Sequence, residues 1–358
     1  MDILRRIRYS RIKKLCQRRS ISWTIPKEKR NIRKTWITTK QKPESLLSKK
    51  AMAKLSTNNV HHPEYQYLNL INNIMKNGIE EKTRNGVTKS IIGATMRFPL
   101  NNNQIPILTT KKMAWKTCLK ELLWFISGNT DNKVLKEQGV NIWNDNATRE
   151  FLDSRNLKHY SEDDLGPIYG YQWRYYNRPY APLHVFSNKT NKKISIDQGG
   201  IDQLGYIIKQ LKDPQLRNSR RMIMTAWNPE QIDLMALPPC HVLSQFNVLN
   251  NKLHCSLYQR SGDVGLGIPF NIASYAFLTI LLAKHCDLEP GEFIHFISNA
   301  HIYKEHEDSL KLQINRKPNI FPTCDILNKR HHIDDYIFSD FRINNYKYHP
   351  VIKMNMKA

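Results

Sequence analysis

Two prolines precede a cysteine in Leu237-Pro238-Pro239-Cys240-His241, shortly before the stretch Tyr258-Gln259-Arg260-Ser261-Gly262-Asp263. Each proline ring fixes φ at about −65°, so the thiol sits on a backbone with little freedom. Residues 241–249 and 252–261 read as two extended runs joined by a two-residue Asn250-Asn251 turn, a β-hairpin. That turn places Cys240 opposite Ser261 and His241 opposite Arg260. A thiol beside a fixed guanidinium has its pKa lowered and supplies a thiolate for nucleophilic catalysis. In a perfect ladder, however, Cys240 and Arg260 face opposite ways, so a bulge or a frayed strand end is needed to bring them together. Taken alone, a strand cysteine reads as a buried structural residue.

Other residues suit the same chemistry. Arg84 before Asn85-Gly86, the pair Arg220-Arg221, and Arg260 stand at loop-to-strand positions. A phosphate monoester is nearly a dianion and is best held by several planar guanidinium forks. Each of these arginines alone reads as a surface charge. Glu121 interrupts the apolar run Leu119-Lys120-Glu121-Leu122-Leu123-Trp124-Phe125. The pattern by itself favours a solvent-facing acid; burial instead raises its pKa into the range useful for proton transfer. Asn271, after Pro269-Phe270, reads as a helix N-cap or as an amide presenting a donor and an acceptor to a pyrimidine edge. His301 and Tyr303 share a face of an extended segment and suit a sugar hydroxyl, or are satisfied core polar groups.

The elements that must carry these residues follow from periodicity. Glu64 to Asn77 has helical apolar spacing and stops at Gly78, and Met113 to Ile126 is a second apolar-rich helix. Lys89 to Phe98 and Arg221 to Trp227 read as strands. Asp202 to Lys212 reads as a helix stopped by Asp213-Pro214, and Ile272 to Cys286 as a buried helix with Asn271 near its start. Residues 174–199 have the polar, proline-bearing look of a surface loop. Strands and helices mix without strict alternation, which argues an α+β class rather than a doubly wound sheet.

The chain has 358 residues and a net charge of +24. Residues 1–60 carry 18 Lys+Arg against 3 acidic residues, so +15 of that charge lies there. The segment lacks periodicity and reads as a disordered basic arm, outside a folded body at 61–358. Weak nucleic-acid contact, nuclear import and mitochondrial targeting are uses open to such an arm; a merely solvated tail is another. The six cysteines include no C-x-x-C pair or zinc-like spacing with histidine, which argues against a structural metal. With no apolar run of 18 residues and no secretory pattern, the expectation is a soluble, cytoplasmic protein with no membrane segment.

From about His62 to the end the sequence resembles thymidylate synthase, most closely the eukaryotic form. The resemblance rests on Pro106-Ile107-Leu108-Thr109-Thr110-Lys111, Glu121-Leu122-Leu123-Trp124-Phe125, Asp164-Leu165-Gly166-Pro167-Ile168-Tyr169-Gly170 and Trp227-Asn228-Pro229. It also rests on Met235 to His241, Gln259 to Asp263, Gly265 to Tyr275, Ala300-His301-Ile302-Tyr303 and Ile352-Lys353-Met354. It implies a large mixed β-sheet packed against helices, with one sheet face forming a homodimer interface and sharing the active sites. It further implies reductive methylation of dUMP to dTMP, with 5,10-methylenetetrahydrofolate as one-carbon and hydride donor and no metal. In that reading Cys240 adds to C6 of uracil, while Glu121, Tyr169, Asn146 and His241 handle protons. Arg84, Arg260 and Ser261 hold the phosphate from one subunit, and Arg220 and Arg221 from the other. Asn271 reads the uracil, and His301 with Tyr303 clamps the deoxyribose. Asp263 touches the substrate side and the pterin, and Trp143, Leu266, Gly267, Phe270 and Met354 form the folate wall and closing tail.

Three departures from the family pattern stand out. The loop after Arg84, Asn85-Gly86-Val87-Thr88, is one residue shorter than usual. Ser298-Asn299 replaces Gly-Asp, and Asn247 replaces a tyrosine. None removes a group needed for bond making. A deoxycytidylate hydroxymethylase shares the nucleophile, but Asn271 argues against it, because that relative favours aspartate there. An idle homologue that binds nucleic acid through its arm is the reading from a different class.

Overall fold

The computed structural model describes residues 62–181 and 199–356. The basic arm, and residues 182–198 of the expected surface loop, lie outside the described residues. The described residues belong to one compact unit, Val60–Ala358.

In chain order this unit runs α1 Tyr65–Asn77, β1 Ile79–Thr83, β2 Gly86–Pro99, α2 Trp115–Ile126, α3 Asn132–Glu137, α4 Arg149–Ser154, α5 Tyr169–Tyr175 and α6 Gln203–Lys212. It continues with β3 Ile223–Thr225, β4 His241–Leu249, β5 Lys252–Asp263, α7 Gly267–His285, β6 Glu289–Tyr303, α8 Glu307–Ile314, β7 Thr323–Ile326 and β8 Phe341–Asn344. The main sheet has the order β1-β2-β6-β5-β4-β3. Only β5 and β6 pair in parallel; the other neighbours are antiparallel. This mixed sheet with helices is the α+β arrangement expected.

The parallel pair needs a crossover, and α7 supplies it. Its residues from Ile272 to Ala283 are almost all buried, with β5, β6 and α2 as neighbours. By length and composition α7 is apolar enough to cross a bilayer, but most of its apolar stretch is buried inside the protein. A helix hydrophobic on every side is what a core position demands. Its start differs from the sequence reading. The helix begins at Gly267, with Pro269 in the first turn, so Asn271 lies inside it and is not an N-cap. Proline fits a first turn because its missing N–H has no intrahelical partner to lose.

Three further boundaries move. α2 begins at Trp115, because Ala114 before it has a non-helical backbone at φ −81° and ψ 56°; the Met113 N–H donates to the Tyr346 hydroxyl at 2.9 Å. β3 keeps only Ile223–Thr225 of the expected 221–227, since the chain turns away at Trp227. Arg174 and Tyr175 close α5 rather than open a loop. At the other end of the body, the buried Glu64 carboxylate accepts from the N–H and hydroxyl of both Thr109 and Thr110, at 2.6–3.1 Å. This ties α1 to the segment that leads into α2. A buried carboxylate survives only when so bonded.

Candidate active site

The hairpin of β4 and β5 holds the register set by Asn250-Asn251 from Leu249↔Lys252 to Leu243↔Tyr258. Both asparagines have positive φ, as a tight two-residue hairpin turn requires. The register then shifts, so His241 lies opposite Gln259 rather than Arg260. Val242 is the extra residue, and its carbonyl accepts from Ala226 N–H and Thr225 Oγ1, both at 3.0 Å. That bulge resolves the facing problem. The Arg260 N–H donates to Cys240 O at 3.0 Å, so Cys240 is paired with Arg260 and not with Ser261. The Arg260 guanidinium donates to Pro239 O at 2.9 Å and Pro238 O at 3.0 Å, and lies 5.8 Å from the centre of the Trp227 ring. The diproline loop is thus strapped to the arginine.

The expected lowering of the thiol pKa is corrected. Burial pushes the Cys240 thiol up, and Arg260 pulls it down only in part. In the free chain the thiol is the resting form. Its backbone N–H donates to the Tyr169 hydroxyl at 2.8 Å.

Glu121 does not face solvent. It is mostly buried on α2 and accepts from Trp143 Nε1 at 2.8 Å. Burial raises its pKa to about 7, against the opposing effect of that hydrogen bond. A carboxyl so poised can both give and take a proton near neutrality. The Tyr169 ring bridges the two halves of the site, 6.1 Å from Trp143 and 4.8 Å from His241 between centroids. Burial lowers the His241 pKa to about 4, so its imidazole is neutral at physiological pH. Asn146, in the short turn 144–146, is buried and its Nδ2 has no hydrogen-bond partner among the described residues.

Asn271 projects from α7 toward the hairpin. Its Nδ2 is 2.6 Å from His241 Nε2, and its Oδ1 accepts from Gln259 Nε2 at 2.9 Å. His301 and Tyr303 lie on β6 with ring centroids 5.5 Å apart and perpendicular. His301 Nδ1 lies 3.1 Å from Asn299 Oδ1, so the Asn299 amide bonds to the His301 ring directly. Ser261 lies opposite Asn299 in the parallel pair.

The shortened loop after Arg84 is a two-residue connection, Arg84-Asn85, between β1 and β2. Gly86 follows at φ +132°, a conformation that side chains resist. The loop nonetheless delivers its arginine. A cavity of about 230 Å³ is lined by Arg84, Arg155 and Arg260 with Phe151, Ala236, Leu237 and Pro238. Three guanidinium groups and no carboxylate line it, an arrangement that favours a multivalent anion.

A second corner gathers the residues assigned to the folate. Asp263 Oδ1 accepts from Gly265 N–H at 2.8 Å, and buried Lys111 donates to Gly265 O at 2.5 Å. A Cβ at position 265 would meet His306 Nδ1 at 2.9 Å, and Asp263 Oδ1 and Met354 Sδ both at 3.2 Å. The C-terminal tail is thus packed against Gly265, and His306 Nε2 holds Asn355 O at 2.8 Å. Leu266 and Gly267 open α7 beside this corner, and Phe270 follows one turn on, its carbonyl 3.4 Å from Cys118 Sγ.

Arg220 and Arg221 are not brought to the arginine cavity. They are exposed at the entrance to edge strand β3, where Gln245 Nε2 holds Arg220 O at 3.0 Å. Sequence reading missed Arg155, which follows α4 without any distinguishing pattern. It also missed the part played by Gln259, although its signal was legible: on β5 the inward positions 253, 255 and 257 are Leu, Cys and Leu, and the next is an amide. Among the described residues no cluster of His, Cys, Asp and Glu is placed to hold a metal ion.

The sequence model of the thymidylate synthase family matches residues 65–358. A bifunctional dihydrofolate reductase-thymidylate synthase from Leishmania amazonensis is 47% identical over 299 residues, covering 83% of this chain and 55% of the relative. One from Zea mays is 47% identical over 297 residues, covering 82% and 54%. The chain therefore spans about half the length of these bifunctional relatives. A protein named thymidylate synthase 1/2 from Encephalitozoon cuniculi is 46% identical over 300 residues, covering 83% of this chain and 98% of that protein.

Proposed function

The chain belongs to the thymidylate synthase family, and from that premise we propose that it converts dUMP to dTMP with 5,10-methylenetetrahydrofolate as carbon and hydride donor. The observation that carries the reading is the double role of Arg260. It straps the loop bearing Cys240 and also lines the arginine cavity, so a nucleotide phosphate held there sets the distance from its base to the thiol. Cys240 adds to C6 of the uracil and gives up its proton; C5 then carries the electron pair that attacks the one-carbon unit. Glu121, poised near pH 7, manages the proton at the pyrimidine carbonyl and the proton lost from C5. Asn146, whose buried Nδ2 has no hydrogen-bond partner among the described residues, supports a further polar contact with the bound substrates. The corner of Asp263, Leu266, Gly267, Phe270 and Met354, with Trp143 beside Glu121, fits a flat heterocyclic co-substrate.

The working unit in this reading is a homodimer. Leu243, Tyr258 and Phe296 lie in one cross-strand row on the outer sheet face, with Ile223, Gln245, Ser256 and Ile294 in the next. Tyr258, Phe296 and Ile223 are more than 40% exposed there, a patch of the kind that pairs with a second copy. Pairing through this face would take Arg220 and Arg221 from one chain to the phosphate of the other. Sedimentation with assay of each fraction tests both claims. Activity, read as dUMP-dependent formation of dihydrofolate, should travel with the two-chain species. Activity in a one-chain species would remove the shared site; none in any fraction would remove the reaction.

A further inference from the structure

Gln259 is buried on the core face of β5, and both ends of its amide are hydrogen-bonded. Nε2 donates to Ser261 O and to Asn271 Oδ1, both at 2.9 Å, and Oε1 lies 2.8 Å from His295 Nε2. An amide oxygen can only accept, so His295 must carry its proton on Nε2. His295 is fully buried on β6, between Met96 and Leu257 in the sheet and 5.4 Å from the Phe293 ring, with no hydrogen-bond partner for Nδ1 among the described residues. A bare Nδ1 is the lone-pair nitrogen of that same neutral tautomer. Burial supports it, holding the His295 pKa down to about 3.

This orientation propagates. With Gln259 Oε1 committed to His295, its NH2 must face Asn271, and Asn271 must answer with its oxygen. The Asn271 NH2 then faces His241 Nε2, which accepts and so carries its own proton on Nδ1. Uracil presents an N3–H donor beside an O4 acceptor, whereas cytosine presents an N3 acceptor beside an amino donor. Reversing one amide therefore exchanges the base that it matches.

We propose that His295 is a positioning residue for pyrimidine selection: its single buried N–H, acting with the Ser261 carbonyl at the other end of the amide, sets Gln259, which sets which end of the Asn271 amide is donor and which acceptor. The inference rests on the reading that Asn271 faces the base. Its sequence signature is a histidine on a core strand with no acid beside it, a donor that cannot be reversed by a simple flip of an amide.

The test is titration of the full-length protein with dUMP and with dCMP, comparing wild type with His295→Phe and His295→Gln. Phenylalanine keeps an apolar ring and removes one of the two groups that orient Gln259, leaving Oε1 buried without its donor and only the Ser261 carbonyl opposing reversal. The preference for dUMP over dCMP is expected to fall about tenfold or more, as one misplaced buried hydrogen bond implies. Glutamine, which keeps an N–H within reach of Gln259 Oε1, should recover most of the preference. A merely structural role would weaken both nucleotides equally, and an unchanged ratio overturns the proposal. If wild type shows no preference at all, the base-reading role of Asn271 falls first. In the wild-type protein, 15N shifts of the His295 ring should report N–H on Nε2 and a bare Nδ1 between about pH 5 and 8. The opposite tautomer, or a protonated ring, overturns the proposal whether or not the variants fold.

Discussion

Cys240→Ser is expected to reduce turnover by a factor on the order of 10⁴ or more while dUMP binding stays within a few-fold of wild type. A serine hydroxyl ionises far less readily than a thiol and is a much weaker nucleophile toward a carbon–carbon double bond. Binding should survive because nothing in the proposed phosphate or base contacts uses the sulfur. Arg260 bonds the backbone carbonyls of residues 238, 239 and 240, and the Tyr169 hydroxyl accepts from the backbone N–H. Single-turnover assays and nucleotide titration separate the two effects. Turnover within tenfold of wild type would make the cysteine a structural residue.

Glu121→Gln should cost activity and return stability, with the gain confined to higher pH. Loss of a positioned acid–base group is expected to lower turnover by about 10²–10³. The sign of the stability effect follows from the raised pKa. Between about 4.5 and about 7 the unfolded chain has released the Glu121 proton while the folded chain retains it. This group therefore favours folding most at low pH, and that advantage is lost as pH rises through about 7. At about 1.4 kcal/mol per pH unit, the displacement from 4.5 to about 7 amounts to about 3 kcal/mol by pH 8. Glutamine has no proton to lose. Denaturant titrations of both proteins at pH 4.5 and pH 8 should agree at the lower pH and diverge at the higher, with the variant more stable. Titrating groups common to the two proteins cancel in the difference. Parallel stability at both pH values would show that Glu121 ionises freely, and with it would go the role as a poised acid.

The sequence carried the hairpin register as far as Leu243, because Asn250-Asn251 leaves little choice of turn and the inward positions alternate cleanly. It required a bulge or a frayed strand end, without saying which or where. Val242 looks like any β-branched strand residue, and what singles it out is its carbonyl, which serves β3 instead of β5. The burial of Glu121 was hidden for a similar reason. A lone acid in a helix reads as its exposed stripe unless the partner, here Trp143 in a distant turn, is known. The parallel pairing of β5 with β6 is set by the packing of α7 across the sheet, a long-range contact that periodicity cannot express. Arg155 becomes meaningful only once α4 is folded beside the hairpin loop. The family resemblance supplied the roles of His301, Tyr303 and Asn271, whereas Asn299 and Gln259 acquired theirs from distances.

The claim at the centre is that Cys240 forms a covalent bond to a uracil nucleotide whose C5 then takes carbon from the folate. Incubation with 5-fluoro-dUMP and 5,10-methylenetetrahydrofolate, followed by intact mass measurement under denaturing conditions, tests it most directly. Fluorine at C5 blocks the proton loss that releases product, so the chain should gain the mass of nucleotide plus folate, and Cys240→Ser should gain nothing. An unmodified wild-type chain, or an adduct that persists in Cys240→Ser, would contradict the account.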